Sequence, residues 1–150
     1  MQTINVQPGD AAAPPKTMSH VLGEITWLLS QSPLHKNLFI SDLEWMVMPA
    51  ILLEQFRIFP GPNGQPAGLV TWGSISDETE QRLREHKVRL APHEWRGGPH
   101  LWLIEMVAPF GGQEEMLADC AATIFQGQAF KYQVAGPNGV EVVTHEMTLN

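Results

Sequence analysis

The residues best equipped for chemistry in this 150-residue chain are a histidine behind a proline and a glutamate inside an apolar run. His35 stands in Ser32-Pro33-Leu34-His35-Lys36-Asn37, just past the point where Pro33, lacking an N–H, must stop a helix. Short connections held by rigid elements often carry reactive side chains, and imidazole exchanges a proton near neutral pH. The plainer reading is that His35 satisfies a carbonyl of its own turn. Glu105 interrupts Leu101-Trp102-Leu103-Ile104-Glu105-Met106-Val107-Ala108, where an ionised carboxylate is costly unless paired. A period of two places it with Leu101, Leu103 and Val107. That tilts the choice from a solvent-facing edge residue towards an inward carboxylate meeting a cation or imidazolium.

Other candidates are weaker. The single cysteine, Cys120, excludes an internal disulfide, and its amphipathic surroundings read as core rather than nucleophile. His86, His93 and His100 recur every seven residues, but Pro92 and Gly97-Gly98-Pro99 break any helix that would align them. No His-x-x-x-His pair exists, so no metal site is expected. Pro109-Phe110-Gly111-Gly112 ends the apolar run and reads either as an anion-binding helix start or as an ordinary strand-to-helix turn. There is neither a nucleotide-binding glycine loop nor a Gly-x-Ser-x-Gly elbow.

The elements that must position these residues follow from periodicity and punctuation. Thr17 or Ser19 can cap a helix over Ser19–Gln31, with Val21, Leu22, Ile25, Leu28 and Leu29 on its apolar side. Ser41 and Glu44 form a capping-box pattern for a second helix, which Pro49 should kink or restart. Phe56–Phe59 and Gly68–Ile75 read as strands of a hairpin about Asn63-Gly64. Ser76 and Asp77 open a charged helix, the apolar run is a strand, and Glu114–Phe125 is a helix. Ala129–Val134 and Val140–Met147 make a last hairpin. The expected fold is an α+β sandwich with a mostly antiparallel central sheet flanked by helices.

Composition agrees with one globular unit: 43% of residues are hydrophobic and 17% charged. The expected division is a disordered tail over 1–17 and a single domain over 18–150. No apolar run reaches membrane-spanning length and no secretory leader is apparent, so a cytoplasmic protein is expected. A formal charge of −7 argues against nucleic-acid binding. The cations cluster at Arg82, Arg84, Lys87, Arg89 and Arg96, most simply a solvated face.

Several separated motifs resemble the RTX toxin-activating lysine-acyltransferases, the hemolysin-activating family. They are Leu22-Gly23-Glu24-Ile25-Thr26-Trp27-Leu28, Ser32 to Asn37, Met48-Pro49-Ala50-Ile51, Gln55-Phe56, Pro66-Ala67-Gly68 to Trp72, Trp102-Leu103-Ile104-Glu105 and Ala108-Pro109-Phe110-Gly111. The similarity runs in register from Val21 to Gly112 and is weaker beyond. The resemblance implies a fold similar to the GNAT acyltransferases, a homodimer, and transfer of a fatty acyl group from acyl carrier protein to internal lysines of an RTX-type protoxin. It implies no bound cofactor, acyl carrier protein being a co-substrate with a phosphopantetheine thioester. The family's essential histidine falls on His35 and its catalytic aspartate on Glu105, one methylene longer here. The serine before its Pro-Leu-His falls on Ser32.

The implied chemistry suits these residues. A lysine ammonium with a pKa of about 10.4 cannot attack a carbonyl until it loses a proton. His35 can act as general base, Glu105 can orient its far ring nitrogen, and Ser32 and Asn37 can give polar support. Lys36, Arg82, Arg84, Lys87 and Arg89 are candidates for docking the acidic carrier protein. Two alternatives stand beside this reading. One is a GNAT-like acetyltransferase using acyl-coenzyme A, although the chain lacks the usual pyrophosphate loop; the other is a non-catalytic binding protein on the same fold.

Overall fold

A computed structural model of the chain describes residues 16–86 and 89–147. Positions 1–15 of the expected tail, and Lys87, lie outside the described residues. The Thr17 hydroxyl accepts from the His20 N–H at 3.1 Å and caps α1, Met18–Gln31. Val21, Ile25, Leu28 and Leu29 are buried along one stripe of α1, and Ser32 follows in an extended conformation.

The second helical region breaks where proline requires it. α2 spans Leu43–Met46 and α3 spans Met48–Leu52, with Pro49 in the first turn of α3. The expected Ser41–Glu44 capping box is not the one that forms. A 3-10 turn starts at Ile40, and the Asp42 carboxylate accepts from Phe39 N–H at 2.8 Å and from Trp45 Nε1 at 3.1 Å. Asp42 is the acid three residues beyond the cap position that the backbone adopts.

Among the described residues five strands follow: β1 Phe56–Pro60, β2 Pro66–Ile75, β3 His100–Val107, β4 Phe130–Gly136 and β5 Gly139–His145. They form one sheet in sequence order, antiparallel except between β3 and β4. β1 turns into β2 through Asn63 and Gly64, both at left-handed φ, as the Asn-Gly pair predicts. α4, Asp77–Arg84, is capped by the Ser76 hydroxyl, which accepts from Thr79 N–H. α5, Gln113–Asp119, lies between β3 and β4 and continues as a wider turn, Cys120–Ile124. That insertion permits the parallel pairing, since parallel neighbours need a long crossover.

Helices cover both faces of the sheet. Adjacent residues Leu69 and Val70 of β2 enter different clusters, as the alternation of a strand requires. Leu69 and Val107 pack with Ile25, Leu28, Val47 and Ile51 of the α1–α3 layer. Val70 and Leu103 pack with Met116, Cys120 and Phe130 on the α5 side. A third cluster joins Ile75, Leu83, Trp95 and Trp102. Gly68 lets α5 approach closely, because a Cβ there would lie 2.7 Å from the Met116 sulfur.

One irregularity corrects the expected face of Glu105. The β2–β3 register passes from Thr71 opposite Glu105 to Trp72 opposite Leu103, leaving Ile104 as an extra residue in β3. Alternation is broken there. Leu101, Leu103 and Met106 face the α5 side, whereas Glu105 meets His35 beyond α1, and Val107 packs beneath α1. The four residues that a strict period of two would group are split by this bulge.

Candidate active site

The turn after α1 brings His35 over β3. Pro33 ends the helix, and His35 and Lys36 N–H groups both donate to the Ser32 carbonyl, at 3.0 and 2.9 Å. This compact turn aims the imidazole back at Ser32 and across at the strand. Ser32 Oγ lies 2.6 Å from His35 Nδ1, and Glu105 Oε2 lies 3.2 Å from His35 Nε2. An ionised carboxylate only accepts, so Nε2 carries the proton towards Glu105, and Nδ1 accepts from the Ser32 hydroxyl. Ser32 is buried, and the His35 and Glu105 side chains are 12% and 26% exposed, enough to shield their contact while leaving a path to solvent. Trp27 of α1 packs on Phe110, ring centres 5.7 Å apart, and ties the helix to the turn that follows β3.

The three residues open onto a cleft of about 700 Å³, within the range of small-molecule sites. β3 and β4 share a single bridging pair, Trp102 with Lys131. Further along, Leu103–Met106 of β3 and Tyr132–Ala135 of β4 both line the cleft, together with Leu34 and Leu117. Its wall is mainly apolar, with His35 and Glu105 among its few polar groups.

The bridging pair is itself held from α4. Glu80, 8% exposed, accepts from Trp102 Nε1 at 2.7 Å and from Lys131 Nζ at 2.9 and 3.0 Å. Burial opposes ionisation of Glu80, but the bonds from Trp102 and Lys131 outweigh it and lower its pKa. One carboxylate thus clamps the two strands where they last touch.

The other sequence candidates fall elsewhere. Asn37 is exposed, does not line the cleft and makes no hydrogen bond among the described residues. Arg82 is bound to Glu94 and to the Arg89 carbonyl, and Arg84 lies 3.5 Å from Glu80. Arg89 sits over the Trp45 ring and 3.8 Å from Asp42. Arg82 and Arg89 line a separate groove. Lys36, beside His35, has no carboxylate partner among the described residues. Gly111 and Gly112 have left-handed φ, which the turn itself requires, and they line a different groove with Arg57 and Asp119.

Among the described residues, no group of three or more His, Cys, Asp or Glu is placed to hold a metal. His100 instead pairs with Asp77 at 2.5 Å. Nor is any helix among them long and apolar enough to cross a membrane. Sequence reasoning missed β4 as the second wall of the cleft, although the strand–helix–strand order from β3 to β4 was its signal. It also missed Thr71, opposite Glu105, and Glu80.

A serine, a histidine and a carboxylate thus stand in hydrogen-bonded series at a mainly apolar cleft between strands of an α+β fold. The chain belongs to the RTX toxin acyltransferase family (HlyC), which it matches over residues 14–146, past the Val21–Gly112 stretch and into the last hairpin. It is 35% identical over 92 residues to an RTX-II toxin-activating lysine-acyltransferase of Actinobacillus pleuropneumoniae, covering 61% of this chain and 57% of that protein. A lysine-acyltransferase of Vibrio cholerae is 28% identical over 114 residues, 74% of each chain. A protein-lysine myristoyltransferase of Escherichia coli is 33% identical over 91 residues, 61% of this chain and 52% of that one. The matches thus span only about half the length of the first and third of these relatives.

Proposed function

We propose that this chain is a protein-lysine acyltransferase, with residues 18–150 acting as one GNAT-like domain in the cytoplasm. It transfers a fatty acyl group from acyl carrier protein to internal lysines of an RTX-type protoxin, and it works as a homodimer. The observation that carries the reading is the Ser32–His35–Glu105 series at the mouth of the apolar cleft, together with membership of the family.

In this reading the acyl chain lies in the cleft with its thioester carbonyl near His35. The lysine amine attacks the carbonyl carbon, and His35 Nδ1 takes the proton as the Ser32 hydroxyl yields its place. Glu105 holds the imidazolium through Nε2. The tetrahedral adduct then collapses, and the expelled phosphopantetheine thiolate takes the proton from the His35 imidazolium, leaving as the thiol and restoring the base. Lys36, with no carboxylate partner among the described residues and adjacent to the base, is the best-placed cation to meet an acidic carrier protein.

The 2.6 Å contact of Ser32 with His35 favours a second reading. Ser32 Oγ attacks the thioester while His35 takes its proton, the carrier thiol leaves, and the acyl-serine passes its acyl group to lysine. Intact-mass measurements distinguish these possibilities, offering myristoyl–acyl carrier protein and myristoyl-coenzyme A separately, with and without an RTX protoxin. We expect acylated protoxin from the carrier protein only. Acyl mass on this chain with donor alone would select the covalent route. Transfer from coenzyme A alone would place the chain with ordinary GNAT enzymes, and transfer from neither would make it a binding protein.

A further inference from the structure

Thr71 is 1% exposed, and its hydroxyl has no hydrogen-bond partner among the described residues. A buried hydroxyl left unpaired destabilises a fold relative to a methyl in the same place. Its position offers a reason for it. Thr71 on β2 stands opposite Glu105 on β3, beside the bulge at Ile104. Residues directly opposite in an antiparallel ladder project to the same face, with Cβ atoms about 4.5–5.5 Å apart. The neighbouring pairs identify that face. Leu69 and Val107 pack beneath α1, whereas Val70 and Met106 pack on the α5 side. Thr71 and Glu105 therefore share the face on which His35 sits. Across the ladder on the other side, Thr71 is opposite Phe56, which offers no side-chain acceptor. The side chain in this row that could accept from Thr71 is Glu105. Glu105 directs Oε2 at His35, and its second oxygen, Oε1, is able to take another donor.

Resting on the His35–Glu105 reading above, we propose that Thr71 is a positioning residue, its hydroxyl being the donor that holds the second oxygen of Glu105 as His35 gains a proton. It acts through Glu105 and does not touch the substrate. The hydroxyl is already buried and unpaired, so it exchanges no water for the carboxylate. A donor to a carboxylate gives a stronger, shorter bond than one between neutral groups.

The test is the pH titration of the His35 ring, followed by NMR in the full chain, alongside thermal unfolding. Besides Glu105, the titratable groups lining the cleft are Glu114 from α5 and Tyr132 from β4, with Lys36 next in the chain; none is altered in the variants. Thr71→Val should fold with equal or higher thermal stability, and His35 should protonate at lower pH than in the wild type. Thr71→Ser should restore the wild-type titration. In a Glu105→Gln background, Thr71→Val should have no further effect. Should valine overfill the site, Thr71→Ala makes the same comparison. A wild-type titration in the hydroxyl-free variants overturns the proposal. So does a shift that serine fails to reverse, or one that persists without the Glu105 charge. If Glu105→Gln alone leaves the His35 titration unchanged, the His35–Glu105 pairing fails, and the role of Thr71 falls with it.

Discussion

Seventy positions separate His35 from Glu105 in the chain, yet 3.2 Å separates Nε2 of one from Oε2 of the other. Two local breaks make that meeting possible: the proline stop after α1 and the bulge at Ile104. Without the bulge, Glu105 would share the side of Leu103, facing α5 and away from the histidine.

Removing the base should show this directly. His35→Ala is expected to fold normally and to lose acyl transfer by at least about a hundredfold, the usual contribution of a general base. A folded variant with near-normal transfer by intact mass would refute the assignment.

The Glu105 charge and its length can be separated. Glu105→Gln should slow transfer more than Glu105→Asp, because the amide cannot stabilise an imidazolium while aspartate keeps the charge and shortens the reach by one methylene. Glutamine at the wild-type rate and aspartate below it would make the role spacing alone.

Ser32→Ala leaves Nδ1 without its donor. Under direct transfer the variant should keep most of its rate, since the amine replaces the hydroxyl as proton source. Under the covalent route it should fall to the level of His35→Ala and carry no acyl mass.

Acid should reveal the Glu94 cluster. The Arg82 guanidinium, with help from the Ala91 N–H and the Thr79 hydroxyl, holds the Glu94 carboxyl down from the usual 4.5 to about 2, against the effect of burial. A depressed folded pKa gives stability that is fully present above the unfolded value and is lost as pH falls through the folded one. Glu94→Gln should therefore unfold at lower temperature than wild type at neutral pH. The gap should close between about pH 4.5 and about pH 2. A gap that stays constant across that window would dismiss the ion pair as its source.

Cys120 should be inert. Burial, aided by neighbouring Asp119, pushes its thiol up to about 11. Alkylating reagents at neutral pH should leave the native chain unmodified and label it only after denaturation. Rapid native labelling would require opening of the α5 layer.

Much of the fold was legible in the sequence where backbone sterics act over a few residues. The Thr17 cap, the stop at Pro33, the restart at Pro49 and the Asn63-Gly64 hairpin each follow from the φ preference, missing N–H or side-chain acceptor of a single residue. Family motifs singled out Ser32, His35 and Glu105, and the tertiary structure brings all three together. Helix pattern alone misplaced the cap of the second helical region, because Asp42 and Glu44 offer competing acids and the chain before them decides which is used.

What only the tertiary structure decided depends on pairings between distant segments. The bulge at Ile104 exists through the register of β3 against β2, so no count of residues within β3 shows it. The cleft exists because β4 returns parallel to β3 and is pinned to it at Trp102 and Lys131 by Glu80 from α4. The basic residues around Arg82 looked like one free patch in the sequence. Folded, Arg82, Arg84 and Arg89 lie against Glu94, Glu80 and Asp42, since an ion pair depends on distance in space, whereas Lys36 beside the histidine has no carboxylate partner among the described residues.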